Sequence, residues 1–180
     1  MAIIVVGGGG RGAGKTALIC GLLRALPERH WTAVKITTHA HGGDESIYEE
    51  TTAGEGTDTA RYLAAGARRA LLVTSDEGEL GNVLRPILDE HARNGRLILE
   101  SNSVLRYVQP ELCLAVSTSL AGGDKPSFEL VERCADATVG LGGHDHAIEG
   151  ARIHFHLKSL ERISPTMLAW VREKLRDRLP

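Results

Sequence analysis

The sequence predicts an α/β fold of three layers: a mainly parallel central sheet flanked by helices. Three observations lead there. Short apolar runs alternate along the chain with segments whose apolar residues recur at helical spacing. The runs are apolar throughout rather than alternating with polar residues, as strands buried on both faces are. The first run passes through a glycine-rich segment directly into the first helical pattern, a strand–loop–helix unit.

The elements follow in order. Ile3, Ile4, Val5 and Val6 form a β-branched run that reads as a buried strand. Ala17, Leu18, Ile19, Leu22, Leu23 and Leu26 repeat with helical period. Residues 32–36 read as a second strand. Residues 37–57 are polar and hold Gly42, Gly43 and Gly54, so they read as a long loop, which at this length is functional or mobile. The expectation is that it is mobile alone and ordered by a bound triphosphate. A short helix is expected over 58–65 and a strand over 70–73. Leu80, Val83, Leu84, Ile87 and Leu88 give a helix over 80–92, stopped by Gly95. Strands follow at 97–99 and 112–116, a helix at 127–134 and a strand at 137–139. Residues 140–150 read as turn or loop. Ile153, Phe155 and Leu157 alternate with His154 and His156, the pattern of a half-exposed edge strand. Ser164 is placed to cap a last helix with Pro165 in its first position, running to about residue 178.

The glycine-rich segment carries the chemistry. Gly9, Gly10, Arg11, Gly12, Ala13, Gly14, Lys15 and Thr16 fit the pattern G-x-x-x-x-G-K-[ST], the phosphate-binding P-loop. Its glycines let successive backbone N–H groups turn toward phosphate oxygens. The following helix, entered at Ala17, adds the partial positive charge of its N-terminus. In this role Lys15 reaches the β- and γ-phosphates, and the Thr16 hydroxyl ligates Mg²⁺. The fold expected is therefore that of the P-loop nucleoside triphosphatases, in a single domain over residues 1–180.

Composition sets bounds. A chain of 180 residues is long enough to bury a core as one domain. The formal net charge of −2 gives no basic field, so nucleic acid is not an expected partner. No apolar stretch is long enough to span a bilayer, and the N-terminus lacks the pattern of a signal peptide. Cys20, Cys113 and Cys134 are scattered in apolar segments, where small core residues are expected rather than metal ligands or disulfides. The expected compartment is the cytoplasm.

A P-loop needs an acid at the end of a neighbouring strand to order Mg²⁺ and its water. Glu100 closes the run Leu97, Ile98, Leu99 at the carboxyl edge of the sheet, where ligands of open α/β folds bind. Asp44 and Asp58 compete for the task, and Asp58 is also placed to cap the helix it begins. His39, His41 and Asp44, with His144, Asp145 and His146, form two groups whose donors suit zinc or nickel. Neither has the spacing of a closed metal site, so solvated histidines or phosphate contacts remain alternatives.

Three stretches resemble the molybdopterin-guanine dinucleotide biosynthesis protein B family, small P-loop proteins of the class that includes signal-recognition and nickel-chaperone GTPases. They are the P-loop with Lys15, Thr16, Ala17 and Leu18; the segment Lys35, Ile36, Thr37, Thr38, His39, Ala40, His41; and the run from Gly56 through Asp58 and Thr59 to Gly66 and Ala67. The strand ending in Glu100 also resembles that family's apolar strand before Glu-Gly. The resemblance covers roughly the first 100 residues. It implies a slow Mg²⁺-dependent nucleotide hydrolase, GTP as substrate, and molybdopterin or a molybdenum-cofactor enzyme as partner. A homodimer stays open, since Gly10 stands where dimeric relatives carry a second lysine and Arg11 supplies only a displaced charge. Other departures are Ile36 in place of a histidine, an acidic insertion over 45–55, and Ser101-Asn102 in place of glycine and an apolar residue. Asp124, Lys125, Pro126 and Ser127 do not form the Asn-Lys-x-Asp signature that reads guanine, so ATP and GTP both remain candidates. A small-molecule kinase or ATP-dependent ligase, and a non-hydrolysing nucleotide-regulated adaptor, are the alternatives on this scaffold.

Overall fold

Along the first strand, β1 (Ala2–Gly8), successive side chains turn to opposite faces of the sheet. Ile4 and Val6 enter one core; Ile3 and Val5 enter the other. Both cores are closed by helices, which is why the strand is apolar on both sides. The computed structural model describes residues 2–39, 45–92, 95–117, 127–148 and 152–175.

The remaining strands are β2 (Thr32–His39), β3 (Ser46–Glu50), β4 (Arg69–Asp76), β5 (Arg96–Glu100), β6 (Leu112–Val116), β7 (Ala137–Leu141), β8 (His146–Ile148) and β9 (Ile153–Leu157). Among the described residues they form one sheet in the order β3-β4-β2-β5-β1-β6-β7-β9-β8. From β4 to β9 the pairing is parallel. The two outermost strands, β3 and β8, are antiparallel. Helices α1 (Lys15–Ala25), α2 (Asp58–Ala64) and α5 (Pro165–Lys174) give residues to one core, including Leu18, Tyr62 and Met167. Helices α3 (Leu80–His91) and α4 (Phe128–Cys134) give Leu84 and Val131 to the other. This is the expected three-layer arrangement, and its parallel strands bring the ends of β1, β2, β4 and β5 to one edge.

Two expectations about the strands are corrected. Residues 37–57 are not one loop. Strand β2 runs on to His39, and β3 pairs with β4 from Ser46↔Thr74 to Glu50↔Ala70. The strand was hidden because it is an edge strand exposed along most of its length, so Ser-Ile-Tyr-Glu-Glu carries no buried alternation. Arg69 fixes it, donating to both carboxylate oxygens of Glu49 at 2.8 and 2.9 Å. Residues 41 and 44, with the histidine and aspartate singled out above, lie outside the described residues.

The second correction concerns β9. It is covered by β8, which lies within the stretch read as turn or loop. His154 is exposed and His156 half-buried on this inner strand. Cys134 is exposed, against expectation, while Cys20 and Cys113 are buried. Burial pushes those two thiols up to about 11 and about 12, so both are inert core groups.

Asp58 does not cap α2. Thr57 does, its hydroxyl accepting from the Ala60 N–H at 3.0 Å. The same hydroxyl donates to Glu50 at 3.1 Å and so ties the helix to β3. Thr57→Ala is expected to lower stability by about 1 kcal/mol, read as a shift in urea midpoint at constant slope.

Candidate functional site

The loop between β1 and α1 turns on two glycines with positive φ, Gly12 at 74° and Gly14 at 91°. L-residues rarely adopt these angles, so the glycines set the curl of the loop. A Cβ on Gly14 would also stand 2.2 Å from Leu160 Cδ1. Gly14 is the N-cap of α1, no side chain caps that helix, and its first turn holds no acid. The positive end of the helix therefore faces the loop with no protein carboxylate in that turn to neutralise it.

The loop opens onto a cavity of about 710 Å³. Its wall includes Gly8, Gly10 through Ala17, Lys35 through Thr38, Asp58, Arg61 and Glu100 through Ser103. The expected site residues Gly10, Arg11, Gly12, Ala13, Gly14, Lys15, Thr16, Ala17 and Glu100 are brought together here. Gly9 is buried and not on this wall, and Gly8 lines the cavity instead. Lys15 donates to the Gly10 carbonyl at 2.7 Å, across the mouth of its own loop.

Glu100 lies beneath Thr16. The Thr16 hydroxyl donates to Glu100 Oε2 at 2.8 Å, and the buried Tyr62 hydroxyl donates to the same oxygen. Lys35 Nζ donates to Oε1 at 2.9 Å. The sheet register explains the last contact, since Lys35 on β2 and Glu100 on β5 are paired residues and project from the same face. Lys35 also forms an ion pair with Asp58 Oδ2. Two of the three acids proposed from sequence for one task, Glu100 and Asp58, thus meet on a single ammonium group, while Asp44 lies outside the described residues.

The charges reinforce one another. Burial alone would lower the Lys35 pKa, but Glu100 and Asp58 outweigh it and hold the ammonium above its usual range. Burial alone would raise the Asp58 carboxyl, but Lys35, helped by Thr16 and Arg61, takes it below the usual carboxylate range. Tyr62 is pushed well above its ordinary value, first by burial and then by the Glu100 charge, so it is a hydrogen-bond donor rather than a phenolate.

Four residues escape sequence reasoning, the buried Tyr62 that donates to Glu100 being the first. Lys35 was noted only as part of a resemblance; a lysine inside a buried central strand is itself a signal that a partner lies opposite. Asn102 accepts from Gly8 N at 2.9 Å and donates back to Gly8 O at 3.1 Å, clamping the point where β1 enters the loop. Asp76, at the end of β4, receives His39 Nδ1 at 2.5 Å. Among the described residues no three His, Cys, Asp or Glu side chains are grouped so that they could hold a metal ion.

No protein-family model matches the chain, and no curated protein matches it. Among solved structures it is similar to LpxK from Aquifex aeolicus, crystallised with ATP, with a TM-score of 0.53 and 16% identity. The match covers 87% of this chain and 53% of LpxK, so the chain spans about half the length of that protein. The fold is thus an α/β P-loop nucleoside triphosphatase fold. No described helix is long and apolar enough to cross a membrane.

Proposed function

We propose that the chain, read as one domain over residues 1–180, binds a nucleoside triphosphate with Mg²⁺ at the β1–α1 loop and hydrolyses it slowly. The observation that carries this reading is the placement of Thr16 and Glu100. The P-loop hydroxyl and a strand-end carboxylate lie 2.8 Å apart, under a loop curled by Gly12 and Gly14. The amides of residues 10–16 and the α1 N-terminus supply donors for phosphate oxygens. Lys15 supplies charge to the β- and γ-phosphates, and Arg11 stands exposed at the rim.

A hydroxyl and two carboxylates are hard oxygen donors, which fits Mg²⁺. Thr16 and Glu100 would hold the ion, with Asp58 as the second acid of the site. When bound, it would neutralise charge on the β- and γ-oxygens during in-line transfer. The protein's part is to position the phosphates, exclude water and keep Glu100 oriented through Tyr62 and Thr16. ATP binding by LpxK favours ATP as a substrate of this fold. GTP, and a role with molybdopterin or a molybdenum-cofactor enzyme, rest on the sequence resemblance of the first 100 residues.

A second reading is favoured by the cavity itself. Its wall continues past the loop along Thr37, Thr38, Ser103 and Ser127, a polar surface suited to a phosphoryl acceptor. That would make the protein a small-molecule kinase or ligase. Phosphate release from ATP and GTP separates the readings. Release without acceptor, abolished by chelating Mg²⁺, is the expected result. Tight binding with negligible release favours the adaptor, and turnover only with added acceptor favours the kinase. Binding of neither nucleotide would refute all three.

A further inference from the structure

Lys35 is held where its charge has an electrostatic alternative. Its ammonium contacts Asp58 and Glu100, and Glu100 also accepts from Thr16 at 2.8 Å. Its backbone is fixed between β4 and β5 in the middle of the sheet, so only the side-chain end can move. Its side chain is 25% exposed, against 6% for Glu100, and its head lines the cavity. Arg61 approaches Asp58 at 3.8 Å but is itself held by Glu161 at 2.9 Å, so it is a weaker partner for the site.

The charge count then sets an order of events. The two carboxylates and the Lys35 ammonium in direct contact sum to one negative charge, which Arg61, at 3.8 Å from Asp58, offsets only in part. A divalent ion entering alone would face the ammonium across the same two acids, a strong repulsion at such short range. A triphosphate brings up to four negative charges. It gives the ammonium a new partner and leaves both carboxylates to the metal. Resting on the nucleotide reading above, we propose that Lys35 is a built-in counter-cation of the metal site, so that the divalent ion enters with the triphosphate rather than before it. By linkage, metal and triphosphate each raise the affinity for the other through this lysine. Lys35 is thus a positioning residue: it sets the state of the two acids until the phosphates draw it away.

The test uses Mn²⁺ alone as the probe, with free Mn²⁺ read by its electron paramagnetic resonance signal at pH 8 and no nucleotide present. Lys35→Met is expected to bind Mn²⁺ roughly ten-fold tighter than wild type or better, because the repelling charge is gone. Lys35→Gln is a second neutral variant, and circular dichroism checks the fold of both. Lys35→Arg keeps the charge and should stay close to wild type. Adding Glu100→Gln to Lys35→Met should remove the gain, which places the ion at these acids. Folded neutral variants that bind Mn²⁺ no tighter than wild type would overturn the proposal, as would a gain that survives Glu100→Gln. A fluorescent triphosphate titrated into wild type reads the nucleotide claim separately. Its failure would sink that claim, while the Mn²⁺ comparison would still report whether Lys35 acts as counter-cation.

Discussion

Glu100→Gln is expected to lower nucleotide hydrolysis by roughly two to three orders of magnitude while changing triphosphate affinity far less. The substitution keeps the shape of the side chain and one acceptor oxygen. It removes the charge that Thr16, Tyr62 and Lys35 converge on. Lys35 retains Asp58, so the fold should survive. The loss should appear in kcat, because the charge acts where the transferring phosphoryl group is stabilised. Comparing kcat with the dissociation constant of a non-hydrolysable triphosphate checks this. Unchanged turnover would move the role to Asp58 or to Asp44, which lies outside the described residues.

Gly14→Ala is expected to disable the loop and weaken the fold together. At φ 91° any Cβ is strained, at a cost of about 1–2 kcal/mol for a left-handed L-residue. The new methyl would also meet Leu160 Cδ1 at 2.2 Å. Leu160 is 6% exposed, so its shift disturbs the core, typically by a further 1–3 kcal/mol or so. Urea unfolding should show roughly 2–5 kcal/mol of lost stability, and triphosphate binding should be lost with it. A variant with the wild-type midpoint would mean that the loop does not depend on this backbone conformation.

How much of this was legible depends on where each signal came from. The buried strands announced themselves because both of their faces are covered, as Ile3 through Val6 and Leu97 through Leu99 show. Helix α3 was equally plain, since Leu80, Leu84 and Ile87 share one buried face. Strand β3 was not, because it is an exposed edge strand with little buried surface to leave a pattern, and β8 is only three residues long. The P-loop was legible because its chemistry is local: backbone, Lys15 and Thr16 lie within eight residues. Glu100 was legible because it ends an apolar run. The rest of the site is not local. Lys35 meets Glu100 across 65 residues of sequence, and Tyr62 meets it across 38. Such contacts arise from the register of β2 on β5 and the seat of α2 on the sheet, which no single segment encodes. Asp58 shows the same limit from the other side. Its position at the start of α2 invited a capping role, while the three-dimensional arrangement turns it to Lys35 and leaves the cap to Thr57.

Whether the β1–α1 loop is a triphosphate site is decided by titration calorimetry with ATP and with GTP in Mg²⁺, on wild type and Lys15→Ala. Wild type is expected to bind at least one nucleotide. Lys15→Ala is expected to weaken that binding by roughly 1.5–3 kcal/mol, more than ten-fold, with the fold intact. Equal affinity for wild type and variant would contradict a triphosphate site at this loop.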